Sequence, residues 1–253
     1  MTDKKLENNF TDEEFLRTFS LASEKNRLFE LTEGKEKQFL SLARMMIEFN
    51  AHTNITAITD LDGLIMSHFC DSLTIAEQIP ADASVADIGC GGGFPTLPLA
   101  IVRPDAHSSA IDSTGKKLAF VIKAAKELGL ENVRANCMRA EDGGKDGRFR
   151  EKYDFVTARA VSAMPILCEL CLPYLRVGGI FCAMKGPRAD EELAEAGNAM
   201  KILGGTLREI KRITLLPAGE GDAVERTLLI VEKTAQTPEK YPRIYGKIKN
   251  KPL

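Results

Sequence analysis

The chain has 253 residues, a formal net charge of −2, 44% hydrophobic residues and 28% charged residues. This suits a soluble globular protein of one large domain, or of one domain with a small extension. The charge argues against a strongly basic nucleic-acid binder but leaves room for a local basic surface. No apolar run approaches the length of a membrane span, and Met1 to Glu7 lacks signal-peptide character, so a cytoplasmic protein with no membrane contact is expected. Cysteines 70, 90, 137, 168, 171 and 182 are scattered through mostly apolar segments and read as reduced core residues. Cys168 and Cys171 have C-x-x-C spacing, but within a helical periodicity, without a second pair and with only three histidines in the chain. No metal is expected.

In chain order, Thr11 before Asp12-Glu13-Glu14 suits an N-cap and an acidic first turn. Phe39, Leu42, Met45, Met46 and Phe49 recur at helical spacing over Glu36 to Phe49. Polar turn formers over Asn50 to Asp60 break that pattern, and a third helix is predicted from Leu61 to Gln78. Residues 1–80 thus read as a helical section packed on the remainder of the chain.

From Ser84 strands and helices alternate. Strands are predicted at Val85–Ile88, His107–Ile111, Val133–Met138, Asp154–Thr157 and Ile180–Met184. Helices are predicted over Pro95–Val102, Gly115–Leu128, 163–175 and 189–203, with a polar loop over Glu141 to Glu151. Strands near Leu207–Leu215 and Glu225–Glu232, joined by a Gly-rich loop, complete the pattern as a hairpin. The expected fold is α/β over 81–238: a doubly wound, mainly parallel sheet with an antiparallel edge. Residues 239–253 carry Lys240, Arg243, Lys247, Lys249 and Lys251 against one acid. Such a tail is either a solvated end or a phosphate-binding arm.

The stretch that organises the chain is Asp87-Ile-Gly89-Cys-Gly91-Gly-Gly93-Phe94-Pro95, between the first strand and an apolar helix. A dinucleotide-binding G-x-G-x-x-G fits neither frame, since the third position falls on Phe94 or Thr96, and no Lys-Ser or Lys-Thr follows to make a Walker loop. D-x-G-x-G-x-G remains, and it resembles the first motif of Rossmann-like methyltransferases that bind S-adenosylmethionine. Asp112 and Ser113 end the second strand about twenty residues on, the position from which an acid holds ribose hydroxyls. Ala140 and Glu141 follow the third strand, where adenine is expected to lie.

Further motifs occur in order: Phe49-Asn50…Asn54-Ile55-Thr56, His68…Asp71-Ser72, Arg139-Ala140-Glu141, Thr157-Ala-Arg159-Ala160-Val161, Met184-Lys185-Gly186 and Tyr241-Pro-Arg243…Lys251-Pro-Leu253. From about residue 35 to the end, the chain resembles the bacterial small-subunit ribosomal RNA methyltransferase G family, also called glucose-inhibited division protein B. The resemblance implies the seven-stranded methyltransferase fold and transfer of a methyl group from S-adenosylmethionine to guanine N7 at one position (527) of 16S rRNA. It implies cofactor contacts from Gly89, Phe94, Ala140, Glu141 and Arg159, joining Asp87, Gly91, Gly93, Asp112 and Ser113. Arg159 is a candidate partner for the methionine carboxylate. Asn54, His68, Asp71 and Lys185 are expected to face the RNA, and Arg243, Lys247, Lys249 and Lys251 to bind its phosphates. The expected partner is 16S rRNA or the small ribosomal subunit, met by a monomer.

Guanine N7 carries a free lone pair, so no general base is expected; positioning supplies the rate. Two departures from the family pattern stand out. Thr96 replaces a usual glycine, and Thr227 replaces the histidine of a Gly-Glu-Arg-His motif. Two other readings remain open on the sequence: a methyltransferase acting on a small molecule or protein, and a non-catalytic cofactor-binding module associated with the ribosome.

Overall fold

A computed structural model describes residues 10–29, 31–58 and 60–253. Residues 1–9, and with them the stretch read for signal-peptide character, lie outside the described residues, as do Glu30 and Thr59. Helix α1 (Asp12–Lys25) begins where Thr11 accepts a 3.1 Å hydrogen bond from the Glu14 amide, and α2 (Glu33–Thr53) is capped by Thr32 in the same way. Phe15 and Phe19 of α1 and Phe39 of α2 meet Phe69, with ring centroids 5.1 to 6.1 Å away, and Phe19 and Phe39 lie 4.7 Å from each other. This aromatic cluster belongs to the same apolar core as Val85, Ala110 and Phe155 of the sheet. The N-terminal helices therefore cover one face of the sheet and share its core.

The helix expected over 61–78 is broken into unlike turns. Short α3 (Leu61–Gly63) runs into a π-helical stretch, Leu64–Cys70, then α4 (Asp71–Leu73) and a 3-10 turn, Ala76–Gln78. The π-helical stretch buries six of its seven residues, whereas α3 buries none. The Asp71 amide reaches Met66 O, five residues back, and the Ser67 carbonyl accepts instead from Arg159 at 2.6 Å. π-turns of this kind concentrate at functional sites.

The sheet comprises β1 (Ser84–Ile88), β2 (His107–Asp112), β3 (Val133–Cys137), β4 (Tyr153–Arg159), β5 (Leu175–Lys185), β6 (Gly205–Leu215) and β7 (Val224–Lys233). Their order is β3-β2-β1-β4-β5-β7-β6, with β7 antiparallel to both neighbours and the first five parallel. The order reverses between β1 and β4, and open α/β sheets bind ligands at that switch point, beyond the carboxyl ends of the strands. On the first face lie α5 (Thr96–Val102) and α6 (Gly115–Glu127). On the other lie α8 (Met164–Cys171) and α10 (Gly197–Leu203).

Three boundaries differ from expectation. The loop after β3 contains a helical turn, α7 (Ala140–Gly143), in which the Gly144 amide closes on Ala140 O. The helix expected over 163–175 stops at Cys171 because Pro173 forces a 3-10 turn, and β5 starts at Leu175. The one expected over 189–203 splits at Ala196 into α9 (Ala189–Glu195) and α10. The basic tail is not a solvated end: it packs on the second face and forms α11 (Tyr245–Asn250), with Tyr241 and Ile248 buried. Among the described residues no helix is long and apolar enough to cross a membrane, and no cluster of His, Cys, Asp and Glu is arranged to hold a metal ion. Cys168 and Cys171 are buried free thiols on α8, and burial pushes the Cys168 thiol up to about 12.

Candidate functional site

Beyond the carboxyl ends of β1, β2 and β4 lie two cavities that share Ala160 and Val161. The smaller, about 270 Å³, is lined by Gly89, Gly91, Asp112, Ser113, Ala140 and Glu141, six of the ten residues expected at a cofactor. The turn after β1 is closed by its neighbour strand: the Gly89 amide donates to Ile111 O at 2.8 Å, and the Gly91 amide to Asp112 Oδ2 at 2.9 Å. Asp112 Oδ1 accepts from the Thr114 amide at 2.7 Å. Each oxygen keeps a further lone pair, so the acid both braces the turn and retains capacity for a diol.

The three glycines do different work. All have positive φ, the left-handed region that favours glycine. A Cβ on Gly91 has only Lys117 Nζ within 4.0 Å, so it would project into open space. A Cβ on Gly89 would meet Val161 Cγ2 at 2.6 Å. A Cβ on Gly93 would strike Leu97 at 2.8 Å and Val121 at 3.0 Å, so Gly93 serves close packing of the turn on α5 and α6. Gly93 does not line the cavity.

Asp87 is also off that lining, buried at the end of β1. Its Oδ2 accepts from the Thr96 hydroxyl at 2.6 Å and the Thr96 amide at 3.3 Å. Its Oδ1 is buried without a partner, an acceptor held in reserve beside the cavity-lining Ile88 and Gly89. Burial pushes the carboxyl up to about 6, against the opposing pull of Thr96 and Arg159. Open space at Gly91, acceptor capacity on Asp112 and an unpartnered buried acid suit a sugar-bearing cation such as S-adenosylmethionine.

The larger cavity, about 620 Å³, gathers His68, Asp71, Arg159, Lys185, Arg188, Glu192 and Arg226. Arg159 thus lies here rather than in the smaller cavity. It donates to Asp71 Oδ2 at 2.8 Å, while Arg226 donates to Asp71 Oδ1 at 2.9 Å. One buried carboxylate therefore holds two guanidiniums, from β4 and β7, to the start of α4, just after the π-helical stretch. His68 Nε2 lies 2.8 Å from Thr56 Oγ1, and Nδ1 lies 3.4 Å from an Arg159 nitrogen. Burial and the Arg159 charge lower its pKa to about 4, so the imidazole is neutral at physiological pH. Lys185 is buried, donates to Ser162 O at 2.6 Å and pairs with Glu192 at 2.5 Å. Four cations (Arg159, Lys185, Arg188, Arg226) face two acids (Asp71, Glu192), a surplus of two positive charges in a chain whose total is −2.

The remaining expected residues sit elsewhere. Phe94 packs against His68, with centroids 4.7 Å apart, and beneath Arg159, outside both linings. Asn54 is the exposed left-handed C-cap of α2. Arg243 is clasped by the fully buried Glu169, with contacts of 2.6 to 3.2 Å, while Lys247, Lys249 and Lys251 are exposed on the tail. Sequence reasoning missed Arg188, Glu192, Arg226, Val161 and Tyr245. Arg226 lies in the motif that departs from the family pattern, and Thr227 beside it pairs in register with Lys185. Thr227 thus adjoins Arg226 and Lys185, two residues that the larger cavity does gather, without lining it itself.

Comparison with known proteins gives the family. The chain matches the family described as rRNA small subunit methyltransferase G over residues 35–215. It belongs to that family. It is 43% identical to ribosomal RNA small subunit methyltransferase G of Lactobacillus johnsonii, covering 89% of this chain and 94% of the relative. Its counterpart in Brevibacillus brevis is 44% identical, over 88% and 93%. Solved structures share the fold at low identity. A putative transferase of Pyrococcus horikoshii superposes with a TM-score of 0.52 at 16% identity, over 64% of this chain and 62% of that one. M. jannaschii TYW2, crystallised with AdoMet, gives 0.50 at 16%, over 64% and 74%. The chain is a methyltransferase of the Rossmann-like fold and its cofactor is S-adenosylmethionine.

Proposed function

We propose that this enzyme methylates N7 of a single guanine, at position 527 of 16S rRNA, acting as a cytoplasmic monomer on the rRNA or the small ribosomal subunit. The observation that carries this reading is the junction of the two cavities at Ala160 and Val161, with a cationic surplus on one side only. A polyanion suits the larger cavity, since phosphate contacts fix register and orientation. A small neutral substrate would have no use for that surplus.

In this reading Asp112 and Glu141 accept from the nucleoside end of the cofactor, and Gly89 and Gly91 keep the turn open to it. When bound, S-adenosylmethionine supplies a methyl group on a sulfonium, an activated leaving group. Guanine N7 needs no proton removed, so no residue is assigned as a general base. The chain's task is alignment, worth several kcal/mol of barrier. His68, held neutral, adds no positive charge as the purine gains one. Arg159, Lys185 and Arg226 are braced by carboxylates, which fixes their donors for O6 or flanking phosphates.

Purified protein incubated with small subunits or 16S rRNA and S-adenosylmethionine, followed by nuclease digestion and mass spectrometry, tests the proposal. N7-methylguanosine is expected as the single methylated product. A different methylated nucleoside would overturn the N7 assignment.

A further inference from the structure

The C-terminal segment returns across α7 and α8 and reaches the smaller cavity. Arg150 stitches its start, donating to Thr237 O at 2.6 Å and Tyr241 O at 2.8 Å. Next, Glu169, fully buried on α8, takes the Arg243 backbone amide at 2.7 Å and the Arg243 guanidinium through both carboxylate oxygens. Ile248 is buried in the core on the same face. An anchor on each side thus fixes the two residues after Arg243. The second of them, Tyr245, is half-buried and lines the smaller cavity with Ala140, Glu141 and Leu170.

We propose that Tyr245 is the aromatic wall of the cofactor site, its ring meeting the adenine face, and that the Arg243–Glu169 clasp exists to place it. The inference rests on the cofactor reading of the smaller cavity. Three features support it. Ala140 and Glu141 follow β3, on the side of Asp112 away from the β1–β4 switch point, which puts the purine next to Tyr245. The apolar Leu170 and the phenol ring supply flat and aliphatic surface where a purine needs it, and Glu141 supplies an acceptor at the edge. The Tyr245 hydroxyl makes no hydrogen bond to another described residue, so the structure gives the ring's face, not its polar tip, the work. Arg243 is in this account a positioning residue, acting on the cofactor through Tyr245, and the tail's link to RNA is left to the exposed lysines.

Isothermal titration of the full-length protein with S-adenosylhomocysteine tests the wall. Tyr245→Leu keeps an apolar side chain but removes the π face and should weaken binding by about tenfold, within the range for loss of one base–aromatic stack. Tyr245→Phe should bind as the parent does. Equal affinity in Tyr245→Leu and the parent would overturn the proposal, as would a Tyr245→Phe as weak as Tyr245→Leu, which would assign the role to the hydroxyl. Asp112→Ala separates this failure from a failure of the cavity assignment. If Asp112→Ala binds weakly while Tyr245→Leu binds normally, only the wall is wrong; if both bind normally, the cofactor lies elsewhere.

Discussion

Thr96 Oγ1 donates a 2.6 Å hydrogen bond to Asp87 Oδ2, and neither side chain is more than 2% exposed. The family pattern leads one to expect glycine at this position, which has no hydroxyl to give. Here the hydroxyl partly offsets the burial that pushes Asp87 up to about 6. A carboxyl with a folded pKa above its unfolded value binds its proton more tightly in the folded state. Its contribution therefore favours folding at low pH and is lost as pH rises from about 4 to about 6, by a sum on the order of 3 kcal/mol. Urea unfolding across that window should show the loss in the parent, a larger one in Thr96→Val and almost none in Asp87→Asn. A parent as pH-sensitive as Asp87→Asn would assign the Asp87 proton wrongly.

Asp71 holds Arg159 and Arg226 at 2.8 and 2.9 Å and is itself 4% exposed. Removing it leaves two guanidiniums facing each other with no counter-charge, so Asp71→Ala should cost about 3 to 5 kcal/mol of stability by chemical denaturation. Arg226 keeps 22% of its side chain exposed, so Arg226→Met should cost less than half as much. Equal losses would show that Asp71 is not the hub.

The glycines separate stability from binding. Gly93→Ala should lower stability by more than 2 kcal/mol, because its Cβ would meet Leu97 and Val121 under 3.1 Å at a left-handed φ. Gly91→Ala should cost about 1 to 2 kcal/mol from its φ alone but weaken S-adenosylhomocysteine binding at least tenfold. Thermal melting and calorimetry on both variants check the pair, and normal affinity in Gly91→Ala would misplace the cleft.

If Lys247, Lys249 and Lys251 reach phosphates, replacing all three by Ala should weaken RNA binding and reduce the slope of log K against log salt by about 2 to 3. Filter binding from low to high salt reads this directly. Unchanged slopes would remove the tail from the RNA interface.

Much of this was legible in sequence because strand and helix periods are local. The glycine turn, Asp112 and Glu141 fall at successive strand ends, and strand ends are where an open sheet collects its ligands. The features that escaped were set by contacts distant in the chain. Glu169 reads as one more helical polar residue until Arg243, 74 positions away, supplies its partner. The tail's charge suggested a solvated end or a phosphate-binding arm, not a packed segment, for the same reason. The π-helical stretch escaped because the guanidinium that meets its Ser67 carbonyl belongs to Arg159, 92 residues downstream. Nor does a motif separate Gly91 from Gly93, since the difference is whether Leu97 or open space faces the missing Cβ.

The most direct test of the central claim is chemical mapping of N7-methylguanosine along 16S rRNA from cells with and without this gene. We predict a single modification at position 527 that disappears with the gene and returns with the parent protein but not with Gly91→Ala. An identical modification pattern in both strains would contradict the account.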